Sequence, residues 1–246
     1  MTLAALLCAM TTACVTADQQ AAPTPQGGTK VNRALPRWMF DLPLTDQDGQ
    51  RVTLGEFKGK VVVLTDFLTL CREVCPLTSA NIRLLQRKAA RAGLGGRVEF
   101  LEITVDPARD TPARLHAYTG LAGSAPNWKL LTGAPAELAK LWRLLGVGYS
   151  KRPLHRASGR DWWTGKPLRY DVDHTDALIY LDRSGAERYV ITGIPNAAAA
   201  RLAARLKATL NQRGQRNLTH PGAAAWTLRQ AMSSLRWVVG SKPSPG

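Results

Sequence analysis

A layered α/β fold around a mixed central sheet is what this 246-residue sequence predicts, and three observations carry the prediction. Val61–Leu64, continuing to Phe67, is an apolar run rich in β-branched residues, which suits a central strand covered on both faces. Two cysteines, Cys71 and Cys75, follow at once, where that run gives way to a helical spacing. The elements then alternate: a hairpin, βαβα, a short strand and helix, a second hairpin and a last helix. Alternation alone admits several α/β folds. Thiols delivered to the start of the helix after the first central strand select a thioredoxin-like one.

Taken in order, Met1–Cys14 is apolar, rich in small residues and too short to span a bilayer, so residues 1–15 read as an export segment. It lacks a basic n-region. Ala13 before Cys14 suits lipoprotein processing, although Thr11 stands where Leu is usual. Residues 16–35, rich in Ala, Thr, Gln, Pro and Gly, read as a flexible tether, with order beginning near Trp38. Residues 36–210 then make up the thioredoxin-like domain. Asp46-Gln-Asp-Gly49 is a turn between two short apolar segments, hence the first hairpin. After Pro76, apolar residues recur at Ile82, Leu85, Ala89 and Ala92, a helical spacing that stops at Gly93.

Val98–Val105 predicts a second buried strand. Thr111 and Pro112 then read as N-cap and first residue of a helix reaching Tyr118. A strand at Trp128–Leu131 leads to a helix from Pro135 to Leu145. Residues 148–170 read as irregular and basic, with Trp162-Trp163 inside. Ala177–Leu181 and Arg188–Ile191 flank Asp182–Gly185 as strand, turn and strand, and Asn196 reads as the cap of a helix to about Leu210. Residues 211–246 form a basic C-terminal extension, either helical or disordered; Trp226, Met232, Leu235 and Val239 would line one helix face.

The net charge of +15 is unevenly placed. Glu187 is the last acid, and nine positive charges follow it, so the excess belongs mainly to the tail. That tail reads as a solvated basic surface or as a contact for an anionic membrane surface or an acidic partner. No aromatic-studded RNA motif, finger or recognition-helix pattern accompanies it, so nucleic acid is not an expected partner.

Of the four cysteines, Cys8 and Cys14 belong to the export segment. One remaining close pair in an extracytoplasmic protein points to redox or metal chemistry rather than stapling, because so small a loop constrains the unfolded chain little. Thiolates near a helix N-terminus are stabilised by its unpaired N–H groups. They can exchange disulfides, or hold a soft ion such as Cu(I), while Cu(II) asks for added nitrogen ligands. His116, beside charged residues on a helix, reads as a surface histidine, His155 as solvated, and His220 has no visible site. His174 lies in a loop directly before a predicted core strand, which a thioredoxin-like sheet places opposite the thiols.

These residues carry a family resemblance. Phe40-Asp-Leu with Asp46-Gln-Asp-Gly49, Gly59-Lys60-Val-Val, Cys71-Arg-Glu-Val-Cys75-Pro76, Val105-Asp-Pro-Ala-Arg-Asp-Thr-Pro112, Trp128–Gly133 and Tyr170-Asp-Val-Asp-His174-Thr occur in the order and spacing of the Sco (SenC) copper chaperones of cytochrome c oxidase assembly. The resemblance spans about residues 36–210. It implies copper, as Cu(I) or Cu(II), on Cys71, Cys75 and His174, with a redox-active cysteine pair; Asp173, next to His174, reads as an acid that orients the loop. The family usually has Pro-Asp after the first cysteine, where this chain has Arg72-Glu73, and Leu70 replaces an aromatic or His.

The expectation is therefore an extracytoplasmic metallochaperone, lipid-anchored through Cys14 or secreted. It would deliver copper to the binuclear copper site of the oxidase subunit, with a thiol reductase as a second partner. The alternative is a thiol–disulfide oxidoreductase that keeps the target cysteines reduced, Cys71 attacking and Cys75 resolving. A peroxidase reading ranks last, since the full Pro-x-x-x-Thr-x-x-Cys motif is absent.

Overall fold

The strand Val61–Phe67 is buried at all seven positions, and the sheet is built outward from it. The structure, a computed structural model, describes residues 25–154, 159–198, 202–221 and 225–243. The export segment with Cys8 and Cys14, the first part of the tether and His155 lie outside the described residues. In chain order the strands are β1 (Thr29–Arg33), β2 (Leu44–Asp46), β3 (Arg51–Val52), β4 (Val61–Phe67), β5 (Val98–Thr104) and β6 (Trp128–Gly133). They continue as β7 (Tyr149–Pro153), β8 (Tyr170–His174), β9 (Ala177–Leu181) and β10 (Glu187–Thr192). Eight of them form one sheet in the order β1-β10-β9-β4-β5-β6-β2-β3, while β7 and β8 make a separate antiparallel pair.

The sheet is mixed, as expected. β4 runs parallel to β5 and antiparallel to β9, and β5 runs parallel to β6. Parallel neighbours need crossover helices. These are α2 (Cys75–Arg91) between β4 and β5, and α3 (Pro112–Ala122) between β5 and β6. α4 (Pro135–Leu144) packs on β6, and a single turn, α1 (Arg37–Phe40), places Met39 and Phe40 in the core. Thr111 caps α3 as predicted, accepting a hydrogen bond from the Arg114 amide. The predicted hairpins are β2–β3 and β9–β10; in the second, the Asp182 carboxylate accepts from the Ser184 amide.

The structure departs from the sequence reading at four places. Thr29–Arg33, inside the stretch expected to be tether, forms edge strand β1 against β10. Its side chains are mostly exposed, so ladder bonds hold it and no apolar alternation announced it. The 148–170 stretch contains β7, which has five exposed residues and leaves equally little pattern. His174 closes strand β8 rather than lying in a loop. The helix expected from Asn196 to Leu210 is confined, among the described residues, to α5 (Ala204–Lys207), although Asn196 does accept from the Ala198 amide. Among its described residues that segment buries Leu206 in the main core, and Ala197 and Leu210 with Leu77 in a small satellite cluster, which is little to hold a long helix.

The C-terminal extension is helical at 212–219 and 228–240. α6 (Gln212–Thr219) is capped by Asn211, and α7 (Leu228–Gly240) by a Thr227–Gln230 capping box. Trp226, Met232, Leu235 and Val239 are all buried, and α7 packs against α2, β4, β9 and β10 as part of the main core. Among the described residues no helix is long and apolar enough to cross a membrane.

Candidate metal centre

β4 ends at Phe67, and the chain turns through Leu68, Thr69 and Leu70 to place Cys71 just ahead of α2 and Cys75 as its first residue. Three contacts hold that turn. The Thr69 amide and hydroxyl both donate to the buried Asp110 carboxylate, the hydroxyl at 2.5 Å. The Trp162 indole donates to the Thr69 carbonyl at 2.8 Å. The arm carrying Trp162 is itself pinned by a bidentate Arg114–Asp161 pair at 2.8 and 2.6 Å.

The Cys71 sulfur accepts from the backbone amides of Val74 at 3.5 Å and Cys75 at 3.3 Å. These are first-turn donors with no intrahelical partner. Both cysteines are free thiols and both are buried. Cys75 at 1% exposure is sealed, whereas Cys71 at 8% borders a small opening.

β8 brings the third group. The His174 Nε2 lies 3.3 Å from the Cys75 sulfur, and the three ligand atoms of Cys71, Cys75 and His174 all lie within 4.8 Å of one another. The His174 side chain is only 4% exposed. Its Nδ1 donates to Asp66 Oδ2 at 2.6 Å, which leaves Nε2 as the atom facing the thiols. Asp66 is held in turn by the amides of Asp176 at 3.1 Å and Ala177 at 2.6 Å. Asp176 adopts φ 56°, a left-handed conformation that Asp tolerates, and this turns its amide toward Asp66.

The β7–β8 pair that carries His174 is anchored at its far end. There the Tyr170 hydroxyl donates to Asp106, Arg109 pairs with Asp106, and the Arg109 guanidinium stacks 3.7 Å from the Tyr170 ring centroid.

The electrostatics separate the two thiols. A hydrogen bond from Cys75 outweighs burial and, together with His174, holds the Cys71 thiol well below its ordinary range. Burial, then the neighbouring Cys71, push the Cys75 thiol well up. Burial disfavours charge on His174, but Asp66, Cys71 and Asp176 outweigh it and raise the imidazole well above its usual value. Burial lifts the Asp176 carboxyl to about 7.

The opening beside Cys71 has a volume of about 120 Å³ and is rimmed by Glu73, Arg152, Asp171, Asp173 and Asp176. It admits an ion or a small donor group, not a large organic ligand. Two thiol sulfurs and an imidazole nitrogen are a soft set. They suit copper better than zinc, which asks for four ligands in a closed site.

Sequence reasoning placed Asp173 beside His174, but Asp173 points to solvent and pairs with Arg152 at 3.2 Å. The orienting carboxylate is Asp66, because alternation along β8 turns Asp173 away from the face that meets β4. The one signal for Asp66 was an acid inside the apolar run of β4. The sequence reading also missed the brace on the cysteine loop. The Asn211 amide donates to the Arg72 carbonyl at 2.9 Å, and its side chain donates to Glu73 at 2.9 Å. Arg213 reaches the Glu73 carboxylate at 3.2 Å, and Asn217 the Glu73 carbonyl at 3.4 Å. Gly214 packs so closely that a Cβ there would collide with the Arg72 carbonyl.

His116 contacts Asp48 on the surface, and His220 is exposed at the end of α6, both away from the thiols.

Against known proteins, a family model described as SCO1/SenC matches residues 35–211. A protein of Stutzerimonas stutzeri, named for copper binding, is 32% identical over 63% of this chain and 68% of its own. The copper-bound crystal structure of Arabidopsis thaliana ScoI is similar with a TM-score of 0.51 and 26% identity, over 61% of this chain and 85% of that one. A SCO1/SenC family lipoprotein from Bacillus anthracis gives 0.53 and 28%, over 68% and 88%. The thioredoxin-like fold is thereby shown. The chain spans 68%, 55% and 50% of the lengths of three relatives it matches.

Proposed function

From the premise that the chain belongs to the SCO1/SenC family, we propose that it is a copper-carrying metallochaperone that loads the binuclear copper site of a cytochrome c oxidase subunit. The observation that carries the reading is the convergence of Cys71, Cys75 and His174 within 4.8 Å, with His174 turned toward the sulfurs by Asp66. Cys71 and Cys75 as thiolates hold Cu(I); His174 adds the nitrogen that Cu(II) requires. Asp66 and the neighbouring Cys71 and Asp176 favour the protonated imidazole, so a proton competes with the metal for Nε2.

Release proceeds by ligand exchange. Incoming donor sulfurs reach the ion through the opening at Cys71, because Cys75 is sealed beneath α2. Operation on the extracytoplasmic side is supported by the signal-like Met1–Cys14 and by the similarity to a lipoprotein.

Copper titration of the reduced full chain, followed by absorption and electron-spin resonance, tests this. We expect one equivalent bound, loss of binding in Cys71→Ala, and loss of the nitrogen-coordinated Cu(II) signal in His174→Ala. Failure to bind stoichiometrically, or equal binding by Cys71→Ala, would sink the proposal.

A second reading, thiol–disulfide exchange on the target cysteines, is favoured by the split between a low Cys71 thiol and a high Cys75 thiol. This is the arrangement of an attacking and a resolving cysteine. His174→Ala separates the two readings: reductase activity should persist with its pH dependence moved upward, because the Cys71 thiol keeps the support of Cys75, whereas copper delivery should be lost.

A further inference from the structure

At the end of α2 remote from the thiols lies an open groove of about 1340 Å³ between α2 and α7. Its rim carries Lys88 and Arg91 from α2 and Arg229 and Arg236 from α7; its floor includes Leu228 and Met232. Among the described residues no carboxylate lines it. None of the four cations makes an ion pair among the described residues, although most arginines around the metal centre do. Arg229 and Arg236 are two turns apart on the exposed face of α7, so both heads project to one side.

An independent observation gives this face a direction. The N-terminal side of the chain enters the domain here. The Tyr189 hydroxyl donates to the Pro25 carbonyl at 2.7 Å, and Gly27 packs on the Gln230 amide so closely that a Cβ would collide with it. Gln230 itself lines the groove. Lys88 lies thirteen residues along α2 from Cys75, a helical rise of about 20 Å.

We propose that this groove seats on the anionic headgroups of a membrane. The face through which the chain leaves toward its N-terminus would rest on the bilayer, with the cysteine loop held about 20 Å above it at the other end of α2. The chemistry is that of phosphate oxygens meeting unpaired guanidinium and ammonium groups around a shallow apolar floor. A flat charged surface meets four spread cations at once, as a single phosphate does not. The inference does not depend on the copper reading.

The test is co-sedimentation of the full chain with phosphatidylglycerol–phosphatidylcholine vesicles, against pure phosphatidylcholine, at two salt concentrations. We expect binding to the anionic vesicles alone, weakened by salt. The Arg229→Gln/Arg236→Gln variant should bind about 30-fold more weakly, about fivefold for each charge near the surface. Arg143→Gln/Lys166→Gln, an equal loss of charge from other exposed faces, should cost far less.

Equal losses in the two variants would overturn the proposal, since attraction would then follow net charge alone. So would equal binding to neutral vesicles, or displacement from vesicles by inorganic phosphate at constant ionic strength, which would mark a single-anion site. Tighter binding of a duplex DNA probe than of anionic vesicles, lost in the same groove variant, would assign the face to nucleic acid and overturn it too. Copper titration of the groove variant should match wild type, so this proposal and the metal reading can fail separately.

Discussion

Replacing Asp66 by Asn perturbs the centre without touching a ligand. The side chain is fully buried and accepts three hydrogen bonds: from His174 Nδ1 at 2.6 Å, from the Ala177 amide at 2.6 Å and from the Asp176 amide at 3.1 Å. Asn preserves the shape but turns one acceptor oxygen into a donor, so at least one of those N–H groups faces another. Leaving a buried donor unmatched costs about 1–3 kcal/mol, which sets the expected loss of folding stability.

The effect on metal is separate. Removing the carboxylate behind a ligating histidine lowers metal affinity about 10–100-fold, or about 1.4–2.8 kcal/mol. That loss should fall on Cu(II), which needs the imidazole. Cu(I) rests on the two thiolates and should weaken less. Competition titrations with chromophoric Cu(I) and Cu(II) chelators, alongside urea unfolding, read the three quantities independently. Unchanged Cu(II) affinity in Asp66→Asn, with His174→Ala strongly impaired, would refute the claim that Asp66 sets the imidazole.

Gly214→Val should force α6 off the cysteine loop, costing about 1–3 kcal/mol by overpacking. Hydrogen exchange should quicken at residues 72–74 and not at β5. Glu102 is buried against the Ser79 hydroxyl at 2.6 Å and the Trp128 indole at 2.8 Å, and burial lifts its carboxyl to about 7 from 4.5. A raised folded value means that the native state holds the proton more tightly. The associated stability, about 3 kcal/mol, is therefore full below pH 4.5 and lost as pH rises through about 7. Unfolding curves of Glu102→Gln across that range should be flatter than those of wild type. Arg114→Ala strands Asp161, 10% exposed, beside the loop that carries Thr69, and should cost about 3 kcal/mol in chemical denaturation.

Much of this fold could be read from local pattern because local pattern records burial. The seven buried residues of β4, the Thr111-Pro112 start of α3 and the Asp182–Gly185 turn each write their environment into neighbouring positions. β1 and β7 escaped for the opposite reason: their side chains are exposed, and they exist through ladder bonds to strands distant in sequence. The thiol pair was legible from its spacing and its place at a helix start, and His174 from the motif around it.

The order of residues along the chain thus specifies the soft donor set, the helix start that lowers one thiol, and the α/β frame that joins them. Tertiary structure alone decided which acid orients His174, since Asp66 stands 108 residues away and the nearer Asp173 faces solvent. It also decided that α6 braces the loop through Glu73, and that Lys88 and Arg91 share a groove with Arg229 and Arg236. The physical reason is that hydrogen-bond and charge partners are selected by distances of about 3 Å in space, to which a spacing along the chain is blind once strands and helices have crossed.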